Sequence, residues 1–494
     1  MVMVVTKQRL FQFLLALILV TLVVNGYTFF LFLTGYSSGS DFDPMSWASQ
    51  GNKLVVENSS VPSIRFKICD NTDRLVILVG SKTNSNLVQI VQRIRFKYLE
   101  LGRLGAGRKV DLEAPPPPSV TRLQRLIQPS KQLTGGKRTL FSRVWESIRE
   151  WPFSDSLRLV SIGQVLSAGQ TASIRNATNA VRGTQLKVEV TLEGGQVALW
   201  KPQAYPRNVV LEGNAYGGKD RHYGEIAAFY LNLLLGYNNA PITTGRRINF
   251  QTELWPVASP TLKDTFFKDS NGSLCFYGVC HFCSKTDPVC EGDPPVDVEG
   301  ALVLWMQRKF QTVPNPWRRT YQATILAPWE SSMDFCSQLM RDIPRLNRAQ
   351  TLLDIVGVAV FDFLIGNGDR HHFEMYLKTE PDSSSHSNKI ILFDNGKSFG
   401  NPFEDYVDIL APLFQCCKIR KSLHLTLKRF EGKVGFWLDN LTRGDPLYPL
   451  LTEENLSALD RRLRIVLATV NHCKDTVQQH NVKHNPSQHK KLFY

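Results

Sequence analysis

Asp369 and Asp394 are the residues on which this chain's chemistry could turn. Positions 361–376 read Phe-Asp-Phe-Leu-Ile-Gly-Asn-Gly-Asp-Arg-His-His-Phe-Glu-Met-Tyr, and positions 391–400 read Ile-Leu-Phe-Asp-Asn-Gly-Lys-Ser-Phe-Gly. One apolar run delivers a polar cluster from Asn367 to Glu374. A second delivers Asp394, followed by Asn395 and Gly396. Phosphoryl transfer needs this pair: a loop acid that takes the proton of a hydroxyl, and a strand acid for the metal on the phosphates.

The elements upstream must supply the rest. Gln185–Leu192 alternates apolar and polar residues as a half-buried strand does. Glu193-Gly194-Gly195 then leads into Gln-Val-Ala-Leu-Trp-Lys201-Pro202, which completes a hairpin with Lys201 at its end. Glu225–Gly236 reads as an apolar helix closed by glycine, with a carboxylate in its first turn. A strand lysine followed by a helical glutamate is the ion pair by which kinases fix their phosphate-binding lysine.

Two features depart from ordinary kinases. No G-x-G-x-x-G loop precedes the hairpin, only Gly183-Thr184-Gln185, so side chains such as Gln185 are expected over the nucleotide. Asp369 precedes Arg370-His371-His372, and Glu374 stands where kinases place an asparagine. A structural ion-pair cluster of Asp369, Arg370 and Glu374 is the plainer reading, but the ordered lysine, glutamate and two aspartates favour catalysis. A hydrolytic metal on His371, His372 and Glu374 is disfavoured, because adjacent histidines seldom converge on one ion and H-E-x-x-H spacing is absent.

The 494 residues, 43% hydrophobic and 21% charged, suffice for one large two-lobed domain or two ordinary ones. Lys7 and Arg9 precede an uncharged stretch from Leu10 to Leu33, long enough to span a bilayer. Charge on its N-terminal side predicts a signal anchor with a short cytosolic tail (1–9) and the remainder in the lumen, the alternative being a cleaved signal peptide. Sequons at Asn58, Asn176, Asn271, Asn440 and Asn455 agree with a luminal surface.

Of nine cysteines, Cys275, Cys280, Cys283 and Cys290 cluster, while Cys336, Cys416, Cys417 and Cys473 lie beyond. Cys280-x-x-Cys283 has zinc-pair spacing, yet Cys275 and Cys290 make no second pair. In an oxidising lumen, disulfides are the better account. Cys69 is left odd, either free or bound to another chain.

Net charge is +14, and +9 of it falls between Arg93 and Arg149, which hold 13 Lys and Arg against four Asp and Glu. With Pro115–Pro118 nearby, residues 34–139 read as an extended basic stem, either a guide towards polyanions or a solvated linker. No recognition motif accompanies this charge, so a nucleic-acid role is excluded. The compact domain is expected over 140–480, with a tail at 481–494.

Gly183-Thr-Gln-Leu-Lys187, Leu199-Trp-Lys-Pro202, Asp220-Arg-His222 with Glu225-Ile-Ala-Ala-Phe229, Cys275-Phe-Tyr-Gly278, Glu299-Gly300, Ile365–His372 and Asp394-Asn-Gly396 together resemble the secretory-pathway kinase family. That family contains the Golgi casein kinase and the glycosaminoglycan xylosylkinase. Lys397-Ser-Phe-Gly-Asn-Pro402, Cys280-His-Phe-Cys283 and Leu410–Cys417 look like the xylosylkinase branch, although Asn395-Gly396 is shared with the other.

The resemblance implies an α+β, atypical two-lobed kinase fold in the Golgi membrane, braced by disulfides, that binds ATP with Mn²⁺ or Mg²⁺. It implies Gln185 and Lys201 as nucleotide contacts, Glu225 as lysine partner and metal contact, and Val303, Leu304, Trp305 and Met306 as the adenine-side hinge. Asp369 would be the base, Glu374 a nucleotide-site acid and Asp394 the metal ligand. Disulfides Cys275–Cys290 and Cys280–Cys283 are implied beside the hinge, with Cys336 and Cys473 each joined to one of Cys416 and Cys417. The implied acceptor is xylose in the Gal-Xyl linkage region of proteoglycans. Alternatives within the family are a Ser/Thr kinase for secreted proteins and a nucleotide-binding pseudokinase that activates a partner, and pairing with itself or a family member is a further expectation. The family's pseudokinase is altered at the helical glutamate, which is intact here as Glu225.

Overall fold

A computed structural model describes residues 56–59, 64–69, 74–80, 83–105, 115–128, 138–149, 151, 162–292, 297–322, 325–343, 349–376 and 390–484. The apolar run 10–33, and with it the anchor and tail expectations, lies outside these residues. Among the described residues no helix is long and apolar enough to cross a membrane.

Fifteen strands are described: β1 (Val56–Ser59), β2 (Ile64–Cys69), β3 (Arg74–Gly80), β4 (Ile174–Asn179), β5 (Val188–Leu192), β6 (Val197–Pro202), β7 (Thr243–Ile248), β8 (Phe266–Lys268), β9 (Leu274–Phe276), β10 (Val289–Cys290), β11 (Val298–Leu304), β12 (Phe310–Pro314), β13 (His372–Tyr376), β14 (Ile390–Ile391) and β15 (Glu404–Asp405). The helices that matter for the site are α1 (Ser85–Gly105), α2 (His222–Leu234), α3 (Ala349–Ile365) and α4 (Glu453–His484).

The central sheet runs β4-β5-β6-β11-β7, with every neighbour antiparallel. Its β5–β6 hairpin follows the predicted alternation: Val188, Val190 and Leu192 are buried, while Glu189 and Thr191 are half-exposed. Gly194 and Gly195 turn the chain at φ +88° and +92°. A Cβ at Gly194 would fall 2.8 Å from the Ser142 backbone nitrogen, so only glycine lets the preceding helix pack there.

α2 is buried along its whole length, as a helix apolar on all sides must be. Gly236 (φ +76°) closes it as the sequence predicts. α3 has the same character and stops at Gly366 (φ +71°), which releases the chain into the Asn367–Glu374 segment. The fold is thus α+β, with a sheet-rich part carrying Lys201 and a helical part carrying Asp369.

The segment expected to be an extended stem is folded where it is described. β1, β2 and β3 form a sheet in the order β1-β3-β2-β15, and Phe66 of β2 pairs with Asp405 of β15. Phe66, Leu75, Ile77, Val91 and Ile94 are buried in the main core. Lys97 of α1 meets Asp475 of α4 at 2.8 Å. The compact unit therefore takes in the chain from β1 onward, well before residue 140. Among the described residues Arg93, Arg103, Arg122, Arg125, Arg143 and Arg149 of the basic segment are exposed, and the alternation in Ile64-Arg-Phe-Lys-Ile was the contrary signal.

Among the described residues four disulfides link Cys275–Cys290, Cys280–Cys283, Cys336–Cys416 and Cys417–Cys473. The first two lie within one insertion. Phe282 N–H donates to Thr184 O (3.1 Å) and Val279 N–H to Asn179 Oδ1 (2.9 Å), so this insertion braces the Gly183–Leu186 loop. The Cys69 side chain lies outside the description. Asn176 and Asn271 are exposed, as sequons require, and Asn440 accepts a bond from Gln124 at 3.0 Å. Asn455 contradicts the expectation: it is 3% exposed and its amide bonds Thr452, leaving no room for a glycan.

Candidate active site

Lys201 stands opposite Ala301 in the β6–β11 ladder and is buried. Its ammonium meets three carboxylates, Glu225 Oε1 at 2.5 Å, Asp394 Oδ1 at 2.5 Å and Asp220 Oδ2 at 3.0 Å. Burial alone would push this lysine down, but Asp220, Asp394 and Glu225 overcome it and hold the ammonium well above the ordinary lysine range. Lys201 and then Lys187 hold the Asp394 carboxyl well below the usual carboxylate range.

The approach of α2 to the Asp394 turn makes this cluster. Arg221 N–H donates to Gly396 O (2.7 Å), and its guanidinium donates to Ser398 O (2.7 Å). A Cβ at Gly396 would lie 2.6 Å from Asp220 Cγ, so the glycine lets Asp220 reach the lysine. Asp394 itself takes a left-handed conformation, φ +56°, that aspartate tolerates better than bulkier residues.

Asp369 is set by a different set of bonds. Its N–H donates to Asn367 Oδ1 (3.1 Å), while Asn367 N–H returns to Asp362 O (2.8 Å). Arg370 clamps the loop to both neighbouring elements: its guanidinium grips Asp362 at 2.9 and 3.0 Å, Asn395 Oδ1 at 2.8 Å, and Phe393 O. The partner of Arg370 is thus the buried Asp362, not Asp369 or Glu374, which leaves Asp369 free for chemistry. The Asp369 Oδ1 accepts from the Tyr321 hydroxyl at 2.6 Å. His371 beside it is raised above its ordinary value, chiefly by hydrogen bonding to Asp369.

A cavity of about 740 Å³ brings these groups together. Gln185, Lys201, Asp220, Asp369, His371 and Lys397 line it, with Tyr216, Tyr277, Phe282 and Tyr321 as aromatic walls. Glu225 and Asp394 join through Lys201. The remaining expected nucleotide residues do not line this cavity. Val303 and Leu304 end β11, and Trp305 donates its N–H to Val197 O (2.8 Å) while its carbonyl accepts from Gln196 Nε2 (2.9 Å). Met306 follows, buried. Glu374 lies on β13, where it accepts from Thr312 (2.9 Å) and faces His372 at 3.4 Å.

Asp220, Lys187 and Tyr321 are site residues the sequence reading did not assign. Asp220 is followed at once by an Arg-His pair and a helix start, a signal that could have found it. Lys187 lies under the glycine loop, where a Cβ at Gly183 would fall 2.3 Å from its ammonium. Nothing in the local sequence marks Tyr321.

The carboxylate oxygens of Asp220, Glu225 and Asp394 all lie within 4.8 Å of one another. Three hard oxygen donors of this kind fit Mg²⁺ or Mn²⁺ rather than a soft metal. The cysteine cluster, by contrast, is spent in disulfides and holds no thiolate pair for zinc.

A strand lysine, a helical glutamate, a loop acid and a turn acid around one cavity define a kinase-like phosphotransferase. The chain belongs to the Fam20 family: residues 143–482 match the family model described as Golgi casein kinase, C-terminal, Fam20. It is 40% identical over 370 residues to the glycosaminoglycan xylosylkinase of Danio rerio, covering 73% of this chain and 88% of that one. Among solved structures it resembles hydra Fam20 with sugar (TM-score 0.63, 39% identity, 68% of this chain and 97% of the other). It also resembles the Golgi casein kinase with Mn/ADP bound (TM-score 0.63, 26% identity, 83% and 93%).

Proposed function

We propose that this chain is an ATP-dependent kinase that phosphorylates the 2-hydroxyl of xylose in the Gal-Xyl linkage region of proteoglycans. One observation carries it: the Lys201–Glu225–Asp394 cluster and the Asp369 carboxylate adjoin a single cavity. Asp394 and Glu225 would hold Mn²⁺ or Mg²⁺, and Lys201 and Gln185 would hold ATP, as matched positions in the family imply; the clustered carboxylates add Asp220 to the metal contacts. When bound, metal and nucleotide supply the γ-phosphoryl group and neutralise its charge. Asp369 accepts the proton of the attacking hydroxyl, while Arg370 keeps that carboxylate in register with the metal turn. The aromatic walls suit a neutral sugar face.

Sugar is favoured over an acidic protein motif because a phosphate- or carboxylate-reading kinase needs free arginines near the transferred group. Arg318-Arg319, after Asn315-Pro316-Trp317, is the nearest such pair inside the domain. Arg319 is instead largely buried and bonded to Asp408 at 2.8 Å. A Golgi membrane location with the catalytic part luminal, a preference for Mn²⁺ and pairing with a family member belong to the same proposal, supported by the family and by the anchor-like run 10–33.

The test offers labelled ATP with a Gal-Xyl glycoside and with casein, in parallel. Wild type should phosphorylate the glycoside, and Asp369→Ala and Asp394→Ala should abolish transfer. Only Asp394→Ala should also remove the thermal shift given by Mn-ATP. Phosphate on casein serine with none on the glycoside would move the chain to the protein-kinase reading.

A further inference from the structure

The Tyr321 hydroxyl donates to Asp369 Oδ1 at 2.6 Å, so one oxygen of the base is occupied before any acceptor arrives. The phenol is not there by chance of a loose loop. The stretch leading to it is anchored by Asn315, which donates through Nδ2 to Arg370 O (2.7 Å) and through N–H to His371 O (3.0 Å). It is anchored again by Trp317 Nε1 to Gln415 Oε1 (2.8 Å), and by the Arg319–Asp408 pair. Tyr321 itself has φ +60°, a region bulky residues rarely adopt, and its ring packs edge-on against Tyr216 at 4.6 Å. Burial first, and then the Asp369 charge, raise its hydroxyl well above the ordinary tyrosine value, so it stays a neutral donor.

We propose that Tyr321 is a specificity-determining residue that holds the Asp369 carboxylate and keeps water off it, so that the phosphoryl group goes to an alcohol. This rests on the kinase reading above. In transfer, the acceptor oxygen bonds to the γ-phosphorus as the bond to the β,γ-bridging oxygen breaks. ADP keeps that electron pair, and the hydroxyl proton passes to Asp369. Water can follow the same course and yield ADP and inorganic phosphate. A large site open to solvent needs a device against this, and a phenol seated on the base is one. With Oδ1 occupied, one Asp369 oxygen is left to act as base: a sugar hydroxyl is held at it by its ring against the aromatic walls, whereas an isolated water has no wall to hold it there and has lost the second oxygen.

The experiment compares wild type with Tyr321→Phe, which keeps the ring and loses only the hydroxyl. With Mn-ATP, the ratio of acceptor-free hydrolysis to Gal-Xyl transfer should rise about tenfold or more, within the range of general-base effects. Adding Asp369→Asn to Tyr321→Phe should abolish the extra hydrolysis. Without nucleotide, carbodiimide labelling of Asp369, read by peptide mass spectrometry, should be several-fold faster in Tyr321→Phe. An unchanged ratio, hydrolysis that falls in step with transfer, or extra hydrolysis that survives Asp369→Asn would overturn the assignment. So would phosphate on Tyr321 itself, which would make the phenol an acceptor. If wild type ignores the glycoside but Tyr321→Phe still gains base-dependent hydrolysis and Asp369 labelling, the acceptor reading fails and the guard stands.

Discussion

Arg319 and Asp408 face each other across 2.8 Å beneath the catalytic loop, and both are largely buried. Burial pushes the Asp408 carboxyl up and Arg319 pulls it back, so each depends on the other. Breaking such a pair by removing one partner costs about 3–5 kcal/mol. Arg319→Gln should therefore lower the stability measured by denaturant titration by that order. Among molecules that remain folded, the ratio of glycoside to casein phosphorylation should stay put. A selective gain or loss on acidic peptides would return Arg319 to an acceptor role.

Asp220 shares Lys201 with Glu225 and Asp394, so it should matter as much as the two residues legible in the sequence. Asp220→Asn and Glu225→Gln are nearly isosteric, and each should weaken Mn-ATP binding about tenfold or more, the scale of one charge-assisted contact. Titration calorimetry checks this directly. A Glu225→Gln protein as active as wild type under saturating Mn-ATP would favour the pseudokinase alternative.

The two C-terminal disulfides close longer loops than the two in the insertion, with separations of 80 and 56 residues against 15 and 3. Loop entropy then favours them, at about 4 kcal/mol each, against about 3 for Cys275–Cys290 and less for Cys280–Cys283. Paired serine replacements, compared by thermal melting, should rank in that order. Loss of Cys280–Cys283 should instead show in activity, because that loop holds Thr184 beside the cavity.

Asp460 gives a pH dependence with a definite sign. Its carboxyl is raised from 3.8 to about 6, mainly by burial, against the Val434 and Gly435 N–H groups that bond it. The folded state therefore binds this proton more tightly than the unfolded chain. Stability from this group falls as pH rises from about 4 to about 6, and the penalty is complete above that, about 3 kcal/mol at most. Asp460→Asn keeps the acceptor oxygen. It should be more stable than wild type at pH 7 and lose that advantage near pH 4 in matched denaturant titrations.

Lys201, Glu225, Asp369 and Asp394 were legible because each sits at the edge of a strongly periodic apolar element, where a polar side chain needs a reason. Asp220 was passed over despite the Arg-His pair and helix start that follow it, because the glycine-rich polar loop before it has no periodicity to orient its side chain. Tyr321 was further out of reach: its contact with Asp369 depends on how Asn315, Trp317 and Arg319 pin a long connection to the helical part. Val303–Met306 were implied as the adenine-side hinge by the resemblance alone, and they do not line the cavity, because where the end of β11 lies relative to it depends on sheet twist, which the sequence does not state. The stem was misread because charge was weighed over alternation, and Phe66 and Ile77 went uncounted as core.

The pairing of β2 with β15 has a practical side. Asp405 of β15 binds Arg461 at 2.7 and 3.0 Å and Arg462 at 2.7 Å, and Arg462 reaches Leu364 O at the end of α3, just before the catalytic loop. β2 covers the outer edge of that relay, and Arg65 fastens to Glu404 at 2.9 Å. The segment shared with the family model starts at residue 143, so a chain truncated there would keep every catalytic side chain yet lose this covering strand and α1. Such a fragment would bare the face of α4 where Arg464 lies over the Tyr98 ring and Asp475 meets Lys97, and leave the relay's edge unpaired. Recombinant expression should therefore start no later than Val56, and proteolytic nicking between Ile64 and Gly105 should silence the enzyme from a distance.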